Sequence, residues 1–393
     1  MKNRAILAFA CVFLIYVLYS ASWVSTGILG PKFKALFDLN NSQVALLTNI
    51  VTLSKLLGTL CGAYVFSRFG LKKVYIAGVL MLGTSCLTSS YEEMLLGRVL
   101  MGFGSAFAVV MLIPIAIQLF KEKLIAIGVN ECANSAGNML IIFAAPLLLG
   151  FFNLHEIFYF FTGLIYLLLL VFYFVYSDSM GVVSAASEPS STLSSTPSPK
   201  PSLAPSSYFA PLKKPLLWRL VFTYFGPLCF LNAAFVIAPN YIAKTGLPPT
   251  LLGYISLAAI FGSFFGALFF KKEKAKIIIL ISTAFMLFAV LLLVFALLYS
   301  LANVYLLLLC LSLGLCYGLV LPFMFIQSAD ISPIENAKLL SFFWALTYLF
   351  LAGNSQVMAA LSDHFGYGAS SIYLLFALFL SLLNAIFALR KRV

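Results

Sequence analysis

The chain has 393 residues, 63% of them hydrophobic and only 9% charged, with a net charge of +12 and a mean hydropathy of +1.06. Water-soluble domains are about half apolar and about a quarter charged, so this chain lacks the polar surface to coat a soluble particle. That excludes an ordinary cytosolic enzyme, a nucleic-acid-binding domain and a disordered chain, and leaves a polytopic membrane protein whose first partner is the lipid bilayer.

Unbroken Leu/Ile/Phe runs favour helices over the alternating pattern of a barrel. Hydrophobic segments fall near 5–30, 42–66, 74–90, 94–120, 124–152 and 157–176, then near 216–238, 250–270, 277–299, 304–327, 337–358 and 371–389. The first follows Met-Lys-Asn-Arg, as a signal peptide would, but the charge pattern fits twelve spans better than eleven. With the N-terminus inside, 19 of the 24 Lys and Arg fall on the cytoplasmic side. Three (Lys32, Lys34, Lys244) fall outside, and Lys55 and Arg98 lie within helices. The positive-inside rule then predicts a multi-pass protein of the cytoplasmic (inner) membrane with both termini cytoplasmic.

Residues 177–214 interrupt the pattern with a Ser/Pro-rich stretch that has almost nothing to bury, which predicts a disordered cytoplasmic linker. It divides the chain into an N-terminal six-helix bundle (1–176) and a C-terminal one (215–393). The two are related by sequence. Pro31 and Pro239 lie 208 apart, Gly58-x-x-x-Gly62-Ala63 and Gly262-x-x-x-Gly266-Ala267 lie 204 apart, Pro114 and Pro322 lie 208 apart, and Ile165-Tyr166-Leu167-Leu168 and Ile372-Tyr373-Leu374-Leu375 lie 207 apart. Four matches at nearly one offset indicate a duplication. The predicted fold is all-α, with twelve transmembrane helices in two pseudo-symmetric six-helix bundles and a binding site near the midplane.

The loop after the second span reads Gly62-Ala-Tyr-Val-Phe-Ser67-Arg68-Phe69-Gly70-Leu-Lys72-Lys73, and the fourth span opens Arg98-Val-Leu-Met101-Gly102-Phe-Gly104-Ser-Ala106. These resemble the loop signature G-x-L-A-D-R-x-G-R-K and the helix-4 motif R-x-x-Q-G-x-G-A-A of the major facilitator superfamily. The resemblance implies a secondary transporter with alternating access, a gating loop at Arg68, Gly70 and Lys72, and a proton-coupling role for Arg98. Ser67 stands where the family has its gating acid, and Met101 replaces a polar residue. The plainer expectation for Arg98 is a side chain that snorkels to the outer interface.

Intramembrane ionisable residues are functional by default, because lipid penalises them unless they face water or a partner. Lys55, mid-span, is expected either to hold an anionic substrate or to pair with Glu131. Glu131 is the one carboxylate placed clearly inside a span, and so the candidate proton carrier; its plainer reading is a helix end near water. Asn130, Asn134 and Asn138 follow at helical spacing on one face. Tyr16, Tyr19, Trp23 and Thr26 on the first span, Tyr224 and Asn232 on the seventh, and Tyr317, Trp344, Asn354 and Gln356 on the tenth and eleventh complete the candidate substrate site. His155 and His364 fall in outer loops and are expected to be solvated. The seven cysteines lie in apolar runs and are expected to pack as small apolar residues. No metal spacing, phosphate loop or enzyme signature is present, so no cofactor and no catalytic residue is expected. Nothing in the sequence specifies an oligomeric state.

The fifth span resembles nitrate/nitrite porters in Gly128-x-Asn130, Gly137 and Ala145-Pro146-Leu147, but the two positions where those porters carry arginines are Thr59 and Gly262 here. Drug/proton antiporters carry G-x-x-x-G-P-x-x-G-G on this helix, and here Asn138 follows Gly137 instead of proline. The expectation is therefore proton-coupled transport of a small anionic metabolite or inorganic anion. The alternatives are a proton-linked drug or metabolite exporter and a non-transporting membrane receptor of the same fold.

Overall fold

The computed structural model describes residues 2–39, 41–119, 123–177, 210–238, 242, 247, 250–269, 272–298, 303–326 and 333–390. In the first half these form α1 (Lys2–Ile28), a short α2 (Gly30–Phe37), α3 (Asn41–Phe69), α4 (Leu71–Leu82), α5 (Tyr91–Leu119), α6 (Lys123–Phe151) and α7 (Leu154–Val175). In the second they form α8 (Pro215–Asn232), α9 (Thr250–Phe269), α10 (Ala275–Leu298), α11 (Asn303–Ile326), α12 (Pro333–Phe365) and α13 (Tyr367–Arg390). Among the described residues there is no strand, as expected where lipid leaves each segment to satisfy its own backbone. Eight of these helices are long and apolar enough to cross a membrane. With α3, α4, α5 and α12 they make up the twelve helices of ten or more residues among the described residues.

The packing repeats from half to half. In the first, α1 packs on α6 and α7, α3 on α5, and α4 on α5 and α7. In the second, α8 packs on α12 and α13, α9 on α11, and α10 on α11 and α13. The seams between the halves repeat as well: α6 lies along α9, and α12 lies along α3. A duplicated chain produces this pattern because equivalent apolar faces must bury against equivalent partners.

Local chemistry sets the ends. Gly70 and Gly366 adopt φ of +80° and +81° between consecutive helices, a region that only glycine enters without cost. At the start of α7 the Asn153 side chain accepts from the Glu156 backbone N–H, and the Glu156 carboxylate accepts from that of Asn153, a reciprocal capping box.

Three features differ from the sequence expectation. The third span, predicted over 74–90, ends as a helix at Leu82 and tightens into a 3-10 turn over Gly83–Cys86. The carbonyls freed there are taken by α7: the Tyr166 hydroxyl donates to Leu80 O (3.0 Å) and the Thr162 hydroxyl to Gly83 O (3.1 Å). Helix α2 was not foreseen; a proline in its first turn starts it, and buried Phe33 anchors it against the Phe158 ring. Ala210–Lys213, read as the end of the linker, form a 3-10 turn with Pro211 buried; residues 178–209 lie outside the described residues.

Candidate functional site

Helix α3 carries Lys55 at its middle, only 2% exposed. Its Nζ lies 4.3 Å from the Trp23 ring centroid, 4.9 Å from that of Tyr19 and 4.9 Å from that of Tyr348. Tyr19 and Trp23 are one turn apart on α1, whereas Tyr348 comes from α12 in the other half, so the ammonium sits where the halves meet. Tyr16 stacks on Tyr19 and Trp344 on Tyr348, extending the aromatic wall on both sides. Desolvated cation–π contacts are worth about 2 kcal/mol each, which offsets part of the cost of burying the charge. The pairing with Glu131 is not formed: among the described residues no carboxylate lies within 4.0 Å of Lys55 Nζ. Ring faces hold an ammonium without supplying a counter-charge. Tyr348 was missed in the sequence; the signal was its place one turn beyond Trp344.

Arg98 does not snorkel to the interface. It is 2% exposed, inside the first half. Nη1 donates to Ser22 O (2.8 Å) and meets Met101 Sδ at 3.5 Å, and the guanidinium lies 5.3 Å above the Phe158 ring centroid. Among the described residues, neither Nη2 nor the Ser22 hydroxyl has a hydrogen-bond partner. Tyr19 thus lies under Lys55 and within electrostatic reach of Arg98.

On α6, Glu131 is buried, as are Asn130 and Asn138. Glu131 lies two turns inside the helix, not at a wet end. Tyr16 of the first half and Tyr224, Tyr317 and Tyr348 of the second are within its electrostatic reach. Tyr224 and Tyr317 share a hydroxyl–hydroxyl hydrogen bond of 3.1 Å. Asn134 turns toward α1, where it accepts from the Ser20 hydroxyl (2.9 Å), while among the described residues Asn138 Oδ1 has no partner. The stripe comes close to α1 because Gly137 permits it: a Cβ there would overlap Val17 O and the Ser20 side chain.

The remaining candidates divide. Asn354 accepts from the Tyr373 hydroxyl (2.5 Å). Its neighbour Ser355 donates to Asn49 Oδ1 of α3 (2.9 Å), a bond between the halves that sequence reasoning did not single out. The Thr26 hydroxyl donates to Trp23 O (2.9 Å) and lies 3.1 Å from that of Thr48. Gln356 is exposed and stands apart from the buried cluster. Asn232 closes α8, beside a π-helical turn at Ala233–Ile237, and its side chain lies outside the described residues. Thr59 donates to Lys55 O (2.6 Å), and Gly262 packs against the α11 backbone, so neither position presents a cation.

In the loop signature, Gly70 turns the chain from α3 into α4. Arg68 donates to the Tyr64 hydroxyl (3.2 Å). Lys72 Nζ donates to Tyr173 O (2.9 Å) and Tyr176 O (2.7 Å), taking carbonyls left open at the end of α7. His155 is not merely solvated: Nδ1 lies 2.9 Å from the Thr88 hydroxyl, whereas His364 is exposed. All seven cysteines are free; Cys61 is exposed, Cys86 half-buried and the other five buried.

The family model described as Major Facilitator Superfamily matches residues 12–354. The chain belongs to the Major Facilitator Superfamily. An uncharacterised protein of Campylobacter jejuni, Cj0987c, is 30% identical over 278 residues, 67% of this chain and 81% of its own length. The bacillibactin exporter of Bacillus subtilis is 29% identical over 123 residues, 28% of this chain and 31% of the exporter. Among solved structures, the proton:xylose symporter XylE bound to 6-bromo-6-deoxy-D-glucose superposes with a TM-score of 0.76 at 13% identity, covering 99% of this chain and 96% of XylE. The transporter FucP, in its outward conformation, gives a TM-score of 0.67 at 15% identity, covering 99% of this chain and 100% of FucP. The protein is thus a multi-pass membrane transporter of the Major Facilitator Superfamily, with the superfamily's twelve-helix fold.

Proposed function

We propose that the protein moves a small anionic solute, a carboxylate metabolite or an inorganic anion, through the cleft between its halves by proton-coupled alternating access. The orientation that goes with it has both termini in the cytoplasm. One observation carries the reading. The buried Lys55 ammonium is held by three ring faces from both halves, and among the described residues no carboxylate is in ion-pair range. A second cation, Arg98, with no carboxylate in ion-pair range among the described residues, lies within electrostatic reach of Tyr19. Two cations without counter-ions in a low-dielectric interior favour an arriving anion. Glu131, buried among the tyrosines of both halves, is the group that takes up and releases the proton.

The test is ligand-induced thermal stabilisation of the purified protein across small carboxylates, phosphate, nitrate, neutral sugars and bulky organic cations, with Lys55→Ala measured in parallel. The reading requires that anions raise the midpoint of the wild type and leave that of Lys55→Ala unmoved. A second reading, export, is favoured by the bacillibactin exporter relative. It requires stabilisation by larger organic solutes and a drop in resistance to the exported compound when the transporter is deleted.

A further inference from the structure

The second half holds an apolar, partly open cavity of about 300 Å³ whose lining includes none of the residues around Lys55. Its wall includes Phe230, Leu251, Leu293, Leu306, Met358 and Gly368, from six different elements. Both serine hydroxyls on the wall are already used: Ser370 donates to Met358 O (2.8 Å) and Ser371 to Tyr367 O (3.0 Å). Cavities of this kind stay dry and accept hydrocarbon.

The duplication shows why the space is there. Counted at the 208-residue offset, Ser22, Ser85 and Arg98 of the first half correspond to Phe230, Leu293 and Leu306. At the 207-residue offset of the last spans, Phe161 corresponds to Gly368. Phe161 is a buried core residue, whereas a Cβ at Gly368 would meet nothing within 4 Å. One half fills the position with a guanidinium and a ring; the other leaves it open. The cavity gathers at one end of the bundle, where α8 and α10 end and α9, α11 and α13 begin. It lies beside outward-facing apolar residues, Val304 on α11 and Ile372 and Phe376 on α13. Along α13 its wall runs from Tyr367 to Leu374, about 10 Å of helix rise.

We propose that this cavity binds the acyl tail of a single-chain membrane amphiphile, with the head group at the adjacent bilayer surface. The volume suits one medium-length chain, and the wall is almost entirely apolar. The site is separate from the Lys55 cleft and independent of the substrate.

The test is photolabelling of the full-length protein in lipid nanodiscs with a diazirine analogue of decanoic acid, mapped by peptide mass spectrometry. The expected result is label on the α11 and α13 wall residues Leu306 and Leu374, competed by decanoic acid. Gly368→Phe, which restores the ring of the other half, and Ala234→Leu, a milder filling, both abolish it without lowering the thermal midpoint. Label confined to outward-facing Ile372 and Phe376, or undiminished in either folded variant, overturns the proposal. Equal competition by decane, which has no head group, overturns the amphiphile assignment as well.

Discussion

In the first half, Arg98, Ser22 and Ser85 occupy the interior of the six-helix bundle. In the second, the residues 208 positions on, Leu306, Phe230 and Leu293, line an open apolar cavity. The same contrast holds at the seam: Lys55 on α3 corresponds, at the 204-residue offset, to buried Ala259 on α9. Yet helix pairs in one half have their counterparts in the other. The duplication therefore kept the apolar packing and diverged in charge. The first half supplies the ionisable groups together with the rings of Tyr19 and Trp23, and the second half adds Tyr348, which closes over Lys55. A cleft built this way is electrostatically one-sided, which lets one ligand register against a defined wall.

The comparison can be broken most directly at Lys55. Replacing it with alanine removes the charge that an anion meets, and the expected loss is about 3 kcal/mol, roughly a hundredfold in affinity. Titration of the stabilising anion against both proteins reads this directly. An exchange of the interior residues comes next. Leu306→Arg places a cation in the apolar half and is expected to destabilise by about 3 kcal/mol. Arg98→Leu, which copies the second half into the first, is expected to leave the thermal midpoint unchanged or raised, because a buried charge without a counter-ion contributes little to stability. Its transport is expected to be lost. A large fall in midpoint for Arg98→Leu would mean that the arginine is structural.

Smaller effects sharpen the picture of packing. Gly137→Ala drives a methyl group into the α1 backbone at Val17 and is expected to cost about 1–3 kcal/mol. Gly163→Ala on α7 meets nothing within 4 Å and is expected to be neutral or to stabilise by up to about 1 kcal/mol; chemical denaturation of the two side by side checks the contrast. Smallest is the cage itself. Tyr348→Phe keeps the ring face over Lys55 and is expected to retain anion affinity, whereas Tyr348→Leu loses about 1 kcal/mol of it.

Much of this is legible in the sequence alone. The apolar runs and the 204–208 offsets carried the twelve spans and the pseudo-symmetry, because lipid leaves the backbone few alternatives. Lys55 and Glu131 stood out because charges are rare in such helices. What the sequence hid depends on side-chain reach across elements. Helical spacing could not show that Lys55 points at rings instead of Glu131, nor that Arg98 turns inward to Ser22 O. Gln356 looked equivalent to Asn354 but lies exposed, since two positions along a helix face nearly opposite ways. Ser355, between them, makes the bond to Asn49 that the pattern concealed. The 3-10 end of the third span is set by Thr162 and Tyr166, far along the chain, and local propensity carries no trace of them.

The central claim is that the caged ammonium of Lys55 is the anchor for an anion. The most direct measurement is the transient current of proteoliposomes on a solid-supported membrane, after concentration jumps of acetate, lactate, succinate, phosphate and nitrate, with wild type and Lys55→Ala compared. The account predicts a saturable current for at least one of these anions in the wild type and none in Lys55→Ala. Currents of equal size in both proteins, or currents evoked only by organic cations, would contradict it.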